Sequence, residues 1–259
     1  MIDAQNICKD FLSKEGKKVS VLRDVNFHIK QGEFVAIVGP SGCGKSTLIK
    51  LLIGLIRPDS GKILIHSKSI NISNGCIGYM SQADSLLPWR TVVRNVELGL
   101  EMKGIRSEKR KKVVYALIEK MGLKGFEKSY PFELSGGMKQ RVSIIRTLAY
   151  DPEIIYMDEP FGALDVQTRD MLEDDILTIW EETKKTIIFV THDLSEAIIL
   201  ADRIFLMNAR PAKIKSEYII DLPRPRHPDI RLTHGFNEIL RVIWGDLSDE
   251  VRKSRDTIL

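Results

Sequence analysis

The chain has 259 residues, enough for one large domain or a domain with a subdomain, and folding at that size removes about 70–75% of the unfolded surface from water. Hydrophobic residues at 43% and charged residues at 29% match ordinary soluble usage, which excludes wholesale disorder and fibrous repeats. A net charge of +4 is too mild to argue for nucleic acid, and with a mean hydropathy of −0.10 no stretch reaches the ~18 apolar residues of a membrane helix.

Met1-Ile2-Asp3-Ala4-Gln5 lacks the basic-then-apolar pattern of a secretory leader. Cys8, Cys43 and Cys76 are odd in number and lack metal-ligand spacing, so they read as reduced thiols of a cytoplasmic protein. Val19, Val21, Val25, Phe27 and Ile29 alternate with polar residues, which predicts antiparallel strands over residues 1–31 around a polar turn at Ser13–Lys18. Phe34–Val38 is a short apolar run expected of a central parallel strand, followed by a glycine-rich turn and a helix over Ser46–Leu55. Strands are next expected at Lys62–His66 and Ile77–Ser81. From Thr91 to about Tyr150 the pattern turns helical. Thr91 and Ser107 are candidate caps, Val113, Val114, Leu117, Ile118 and Met121 form one apolar face, and Gly122 follows as a stop. Strand–helix alternation then resumes with Ile154–Met157, a helix within 166–183, Thr186–Val190, a helix within 195–201, and Arg203–Met207. This alternation implies a covered parallel sheet with 91–150 as a helical insertion. Pro223, Pro225 and Pro228 mark a linker before a last helix at 235–247.

Gly39-Pro40-Ser41-Gly42-Cys43-Gly44-Lys45-Ser46-Thr47 fits the phosphate-loop pattern in the strand–turn–helix context that the pattern requires. A tight turn alone needs the glycines but not a lysine followed by a hydroxyl residue. Backbone N–H groups free of Cβ atoms can wrap a phosphate at the positive end of a helix. Lys45 adds a point charge for the β- and γ-phosphates, and the Ser46 hydroxyl is a hard ligand suited to Mg²⁺. A nucleoside triphosphate is therefore the expected ligand. The apolar strand Ile154–Met157 ends in Asp158-Glu159, which places both carboxylates at the same sheet edge as the loop. Asp158 suits the Mg²⁺ shell, and Glu159 can reach a water in line with the γ-phosphate as general base.

Leu134-Ser135-Gly136-Gly137-Met138-Lys139-Gln140 completes a set that resembles the ATP-binding cassette (ABC) ATPases, the motor subunits of ABC transporters. The resemblance runs from residue 1 to about 225, with Met138 where the family most often has Gln. It implies an α/β fold: a P-loop NTPase core with a parallel sheet, an N-terminal antiparallel β-subdomain and an inserted α-helical subdomain at about 91–150. Residues 226–259 would then be a C-terminal helical extension. Matched position by position, Phe11 resembles the aromatic that stacks on adenine, though an aromatic in an N-terminal strand reads equally as core or edge packing. Gln82 resembles the glutamine that senses Mg²⁺ and the membrane subunit. Ala163-Leu164-Asp165 resembles the D-loop and His192 the switch histidine on the γ-phosphate. Ser135, Gly136 and Gly137 cap a helix whose exposed N–H groups form a second anion site. In the family that tip closes on the nucleotide held by Lys45 of a second copy in a head-to-tail dimer.

A motor without spans borrows them, so a separate integral-membrane permease is the expected partner, with a substrate-binding protein acting indirectly and no nucleic acid. Leu86-Leu87-Pro88-Trp89-Arg90-Thr91-Val92, just after Gln82, reads either as a helix-entry turn with Trp89 in the core or as a docking surface with Trp89 as anchor. With Asn95-Val96-Glu97-Leu98-Gly99-Leu100 and Leu222-Pro223-Arg224-Pro225-Arg226, it resembles the nitrate/sulfonate/taurine importer ATPases. Importers of thiamine or riboflavin precursors share the look. The residues beyond Pro225 are too few for the regulatory barrel of many sugar importers. A soluble ABC ATPase acting on nucleic acid or ribosomes is the alternative, disfavoured by a single phosphate loop and no heptad run. A non-hydrolysing regulator is disfavoured by Glu159 and His192. Lys103, Arg106, Lys109, Arg110, Lys111 and Lys112 read as a solvated helix face, with contact to anionic lipid headgroups as the alternative. Cys43 reads as a bystander at a position that demands only a small residue, the alternative being a thiol whose pKa is lowered by the phosphate-binding amides and which reacts with thiol reagents.

Overall fold

β1 (Ile2–Leu12) and β2 (Lys18–Ile29) pair antiparallel about the expected polar turn, with Ile2 opposite Ile29 and Leu12 opposite Lys18. The computed structural model describes residues 1–69, 77–82, 85–162 and 164–256; Cys76 and Ala163 lie outside them. β3 (Phe34–Val38) is buried at every position, and the helix after it, α1 (Lys45–Leu52), starts at the phosphate-loop lysine. β4 (Ser60–Ile65) and the two-residue β5 (Lys68–Ser69) join the first pair in a four-stranded antiparallel sheet ordered β2-β1-β4-β5.

β6 (Ile77–Met80) precedes three helices, α2 (Val92–Met102), α3 (Ser107–Lys120) and α4 (Gly136–Ala149). The alternation then runs β7 (Ile154–Asp158), α5 (Val166–Thr183), β8 (Thr186–Val190), α6 (Leu194–Leu200), β9 (Arg203–Met207), β10 (Ile214–Ile219) and α7 (His234–Asp256). The second sheet is ordered β10-β9-β3-β8-β7-β6, parallel except for the antiparallel edge strand β10. Its central strands alternate between two cores. Phe34, Ala36 and Val38 pack with the helices α2 to α7, while Val35 and Ile37 pack with α1 and the small sheet.

Local differences from the sequence reading have local causes. Ser107 lies inside α3, and Arg106 takes the cap position with no side-chain cap bond; Thr91 caps α2 by position, also without a side-chain bond. Val113 turns out to solvent, so the buried stripe of α3 narrows to Val114 and Ile118, with Met121 beyond its end. α7 continues past residue 247 because its polar end is held by tertiary partners: the Glu250 carboxylate accepts from the Ala209 N–H at 3.1 Å and pairs with Lys215 at 3.1 Å. β10 escaped the sequence reading because Lys215 and Glu217 break an apolar run that an edge strand does not need.

Candidate nucleotide site

The carboxyl ends of β3, β6, β7 and β8 converge, which is where parallel sheets place ligands. In the phosphate loop the buried Lys45 ammonium donates to the carbonyls of Gly39 (2.8 Å) and Pro40 (3.1 Å), so the loop curls around its own cation. Gly44 sits at φ +130°, and a Cβ there would stand 3.0 Å from Leu22 and Val21 side chains, so only glycine fits between loop and β2. Ser46 and Thr47 follow in the first turn of α1. The Ser46 hydroxyl stands near the Asp158 carboxylate from β7, close enough to lower its pKa. Burial pushes the Asp158 carboxyl above the usual carboxylate range and Glu159 adds to this, while Ser46 and Lys45 pull it back. Two hard oxygen donors side by side suit a magnesium ion, and the loop's bare backbone suits a polyphosphate.

Glu159, one residue past β7, adopts φ +47°, a left-handed conformation that a glutamate takes only under constraint. Its N–H is held by the Val190 carbonyl at 2.8 Å, and its carboxylate accepts from the Gln82 amide at 3.3 Å. His192 Nδ1 lies 3.3 Å from the same carboxylate oxygen. Three side chains from the ends of three strands thus meet at one oxygen.

Ser135 caps α4 by accepting from the Met138 N–H at 3.3 Å, and Gly136 and Gly137 open the helix. A Cβ on Gly137 would meet Thr168 at 2.4 Å. Thr168 in turn donates to Asp165, its N–H at 3.0 Å and its hydroxyl at 2.7 Å, and these bonds hold the Asp165 carboxyl below its usual range. Gly137 at the tip of α4 thus packs closely on Thr168 at the start of α5, and among the described residues no hydrogen bond joins Ser135–Gly137 to the phosphate loop. Phe11, half-exposed, lies opposite Val19, which lines a cavity of about 530 Å³ with Pro40–Cys43 and Arg210. At Cys43 the structure goes against the alternative of a lowered thiol pKa. The thiol is 2% exposed, and burial pushes its pKa up, outweighing Lys45.

Residues 22–162 match the profile of the ABC transporter family. The chain belongs to that family. The ABC ATPases most similar to it include an uncharacterized ABC transporter ATP-binding protein of Methanocaldococcus jannaschii, 46% identical over 98% of this chain and 93% of that protein. An aliphatic sulfonates import ATP-binding protein of Bacillus cereus is 44% identical over 90% of each chain. A nitrate import ATP-binding protein of Synechocystis is 41% identical over 86% of this chain and 83% of that one. A solved ATP-binding cassette dimer in a post-hydrolysis state with ADP and phosphate superposes with TM-score 0.76 at 33% identity, covering 86% of this chain and all of that one. This ABC protein binds ATP and is an ATPase.

Sequence reasoning missed Asn95, which is fully buried. Its carboxamide oxygen accepts from the Leu87 N–H at 2.8 Å, and its NH₂ donates to the carbonyls of Arg90 (2.9 Å) and Thr91 (3.2 Å). One side chain thus knots the Leu86–Thr91 turn and leaves Trp89 71% exposed, which rules out the core placement of that indole. Met102 and Phe132 are also exposed, and Ser129 accepts from the Val92 N–H, which brings the stacked Tyr130–Phe132 pair beside this turn. A buried Asn four residues into a helix after a Pro-Trp turn was the available signal. Lys109, Lys111 and Lys112 are exposed on α3, as a solvated face requires.

Proposed function

We propose that this chain is the motor subunit of an importer for a small sulfonate- or nitrate-like solute. Residues 1–225 would be the ATPase unit, the helical segment 91–150 its coupling part, and 226–259 an extension. Support comes from the meeting of Gln82 and His192 on the Glu159 carboxylate beside the Lys45 loop, together with the sulfonate and nitrate import relatives.

In this reading Phe11 stacks on adenine, and the backbone from Gly39 to Thr47 cradles the phosphates with Lys45 between them. Ser46, Asp158 and Gln82 would hold Mg²⁺, whose charge would screen the phosphate oxygens. Glu159 accepts a proton from water as that water attacks the γ-phosphorus and the bond to ADP breaks. His192 steadies the γ-phosphate oxygens and Asp165 positions the facing tip. Ser135, Gly136 and Gly137 serve the nucleotide of a second copy arranged head to tail, with Gly137 packed on Thr168 of its own chain. Trp89 is the anchor for a separate permease at the cytoplasmic face of the membrane, with a substrate-binding protein beyond it. No described helix is long and apolar enough to cross a membrane.

The test is affinity capture of the Glu159→Gln chain with ATP from detergent-solubilised membranes of its own host. A polytopic membrane protein should co-purify, and the reconstituted pair should take up a sulfonate or nitrate from a panel. Co-purification of nucleic acid instead would overturn the importer reading.

A further inference from the structure

The extension beyond residue 225 reaches back toward the switch-histidine turn through a partly buried cluster of charges. Arg231, in a short 3₁₀ turn at Pro228–Leu232, donates to Asp170 Oδ1 at 2.8 Å and to Glu173 Oε2 at 2.7 Å on α5. Glu173 is 1% exposed as a side chain, and its other oxygen has no hydrogen-bond partner among the described residues. One residue before Asp170, Arg169 donates to Asp193 Oδ2 at 3.1 Å and to the Leu164 carbonyl at 3.4 Å, and lies 3.5 Å from Glu196. Glu196 accepts from the Thr191 hydroxyl at 2.6 Å, and that hydroxyl accepts from the Asp193 N–H at 3.0 Å. Thr191 and Asp193 flank His192 on both sides.

The charge balance depends on the extension. α5 supplies Arg169, Asp170 and Glu173; the switch turn and α6 supply His192, Asp193 and Glu196; α7 supplies Arg241, which shares a cavity with His192 and Asp193. Four carboxylates face two guanidiniums at hydrogen-bond or ion-pair distance, and one of the two, Arg231, comes from the extension beyond residue 225. Without it Glu173 would press on Asp193 and Glu196, whose charges it already feels.

We propose that Arg231 is a positioning residue for hydrolysis: by compensating Asp170 and Glu173 it keeps the Arg169–Asp193–Glu196 network, and with it His192, in place. This rests on the role of His192 given above. Burial pushes the Glu173 carboxyl up to about 8 even with Arg231 beside it, so its negative charge accumulates as pH rises through that value.

The test measures steady-state ATP hydrolysis by the full-length chain from about pH 6 to about pH 10, because Arg231 holds the Glu173 carboxyl down and its loss moves that ionisation to higher pH. Arg231→Gln should leave KM for ATP within about twofold and lower kcat, with the deficit widening to about tenfold at the alkaline end. Arg231→Lys should recover most of the rate. Adding Glu173→Gln to Arg231→Gln should remove the pH-dependent part, because the uncompensated carboxylate is gone. That double variant also serves if the single one does not fold. His192 is one of five histidines, so its imidazole NMR signals should shift in Arg231→Gln without nucleotide. A wild-type kcat and pH profile in Arg231→Gln, or a pH-independent loss that Glu173→Gln fails to relieve, would overturn the proposal. Full turnover by His192→Ala would instead strike the reading of His192 and leave the contacts of Arg231 to be explained on their own.

Discussion

At the carboxyl edge of the large sheet, polar groups find their partners inside the chain. Lys45 rests on two loop carbonyls, Ser46 stands near Asp158, and Gln82 and His192 rest on Glu159. Some residues downstream, the turn knotted by Asn95 does the reverse and holds Trp89 out in solvent, near Phe132. An isolated chemical site has no use for an exposed indole held by buried hydrogen bonds, and a passive docking module has no use for a strained glutamate. The contrast is what a device that converts hydrolysis into movement of something else would need.

The largest expected effect is at the chemical edge. Glu159→Gln should keep ATP affinity within a few-fold while turnover drops about 10²–10⁴-fold, the range of a lost general base. Undiminished hydrolysis would erase the distinction between the two regions. On the other side, Asn95→Ala removes the partner of several buried backbone groups and should cost about 1–3 kcal/mol in denaturant unfolding, because those groups lose their bonds without gaining water. An unchanged unfolding midpoint would mean that the turn is held otherwise.

The buried carboxyls give a smaller effect with a defined sign. Burial raises Glu173 to about 8 and Glu196 to about 7 in the folded chain, from 4.5 when exposed. The folded state therefore binds more protons, so stability falls as pH rises from about 4.5 to about 8 and is level above that. Glu173→Gln should flatten this decline in a melting series by on the order of 1 kcal/mol; an unaltered slope would show that Glu173 is ionised throughout. Least affected by its own mutation should be the exposed face. Trp89→Ala should shift stability by no more than about 0.5 kcal/mol and leave the isolated chain's hydrolysis unaltered, since the side chain touches little. Its whole effect should appear as lost permease capture, and a large stability loss would return Trp89 to the core.

Legibility in the sequence followed the range of the physics. β3 and β8 run over the residues expected, and β7 over the expected run plus Asp158, because a strand buried on both faces must be apolar throughout. The phosphate loop and the pair Asp158–Glu159 could be read because strand–turn–helix connectivity fixes where they stand. The four-residue knot of Asn95, the reach of Arg231 to α5 and the full length of α7 depend on partners distant in sequence or on polar residues without period, and no local pattern encodes them. The lowered-pKa alternative for the Cys43 thiol fails because its neighbours in sequence are phosphate-binding amides, whereas its surroundings in space are apolar.

The account turns on two chains closing over two nucleotides. Light scattering of Glu159→Gln with saturating Mg²⁺-ATP should report twice the 29.4 kDa chain mass, and adding Ser135→Arg to the same chain should return it to one. A single-chain mass at saturating ATP, or a dimer indifferent to Ser135→Arg, would contradict it.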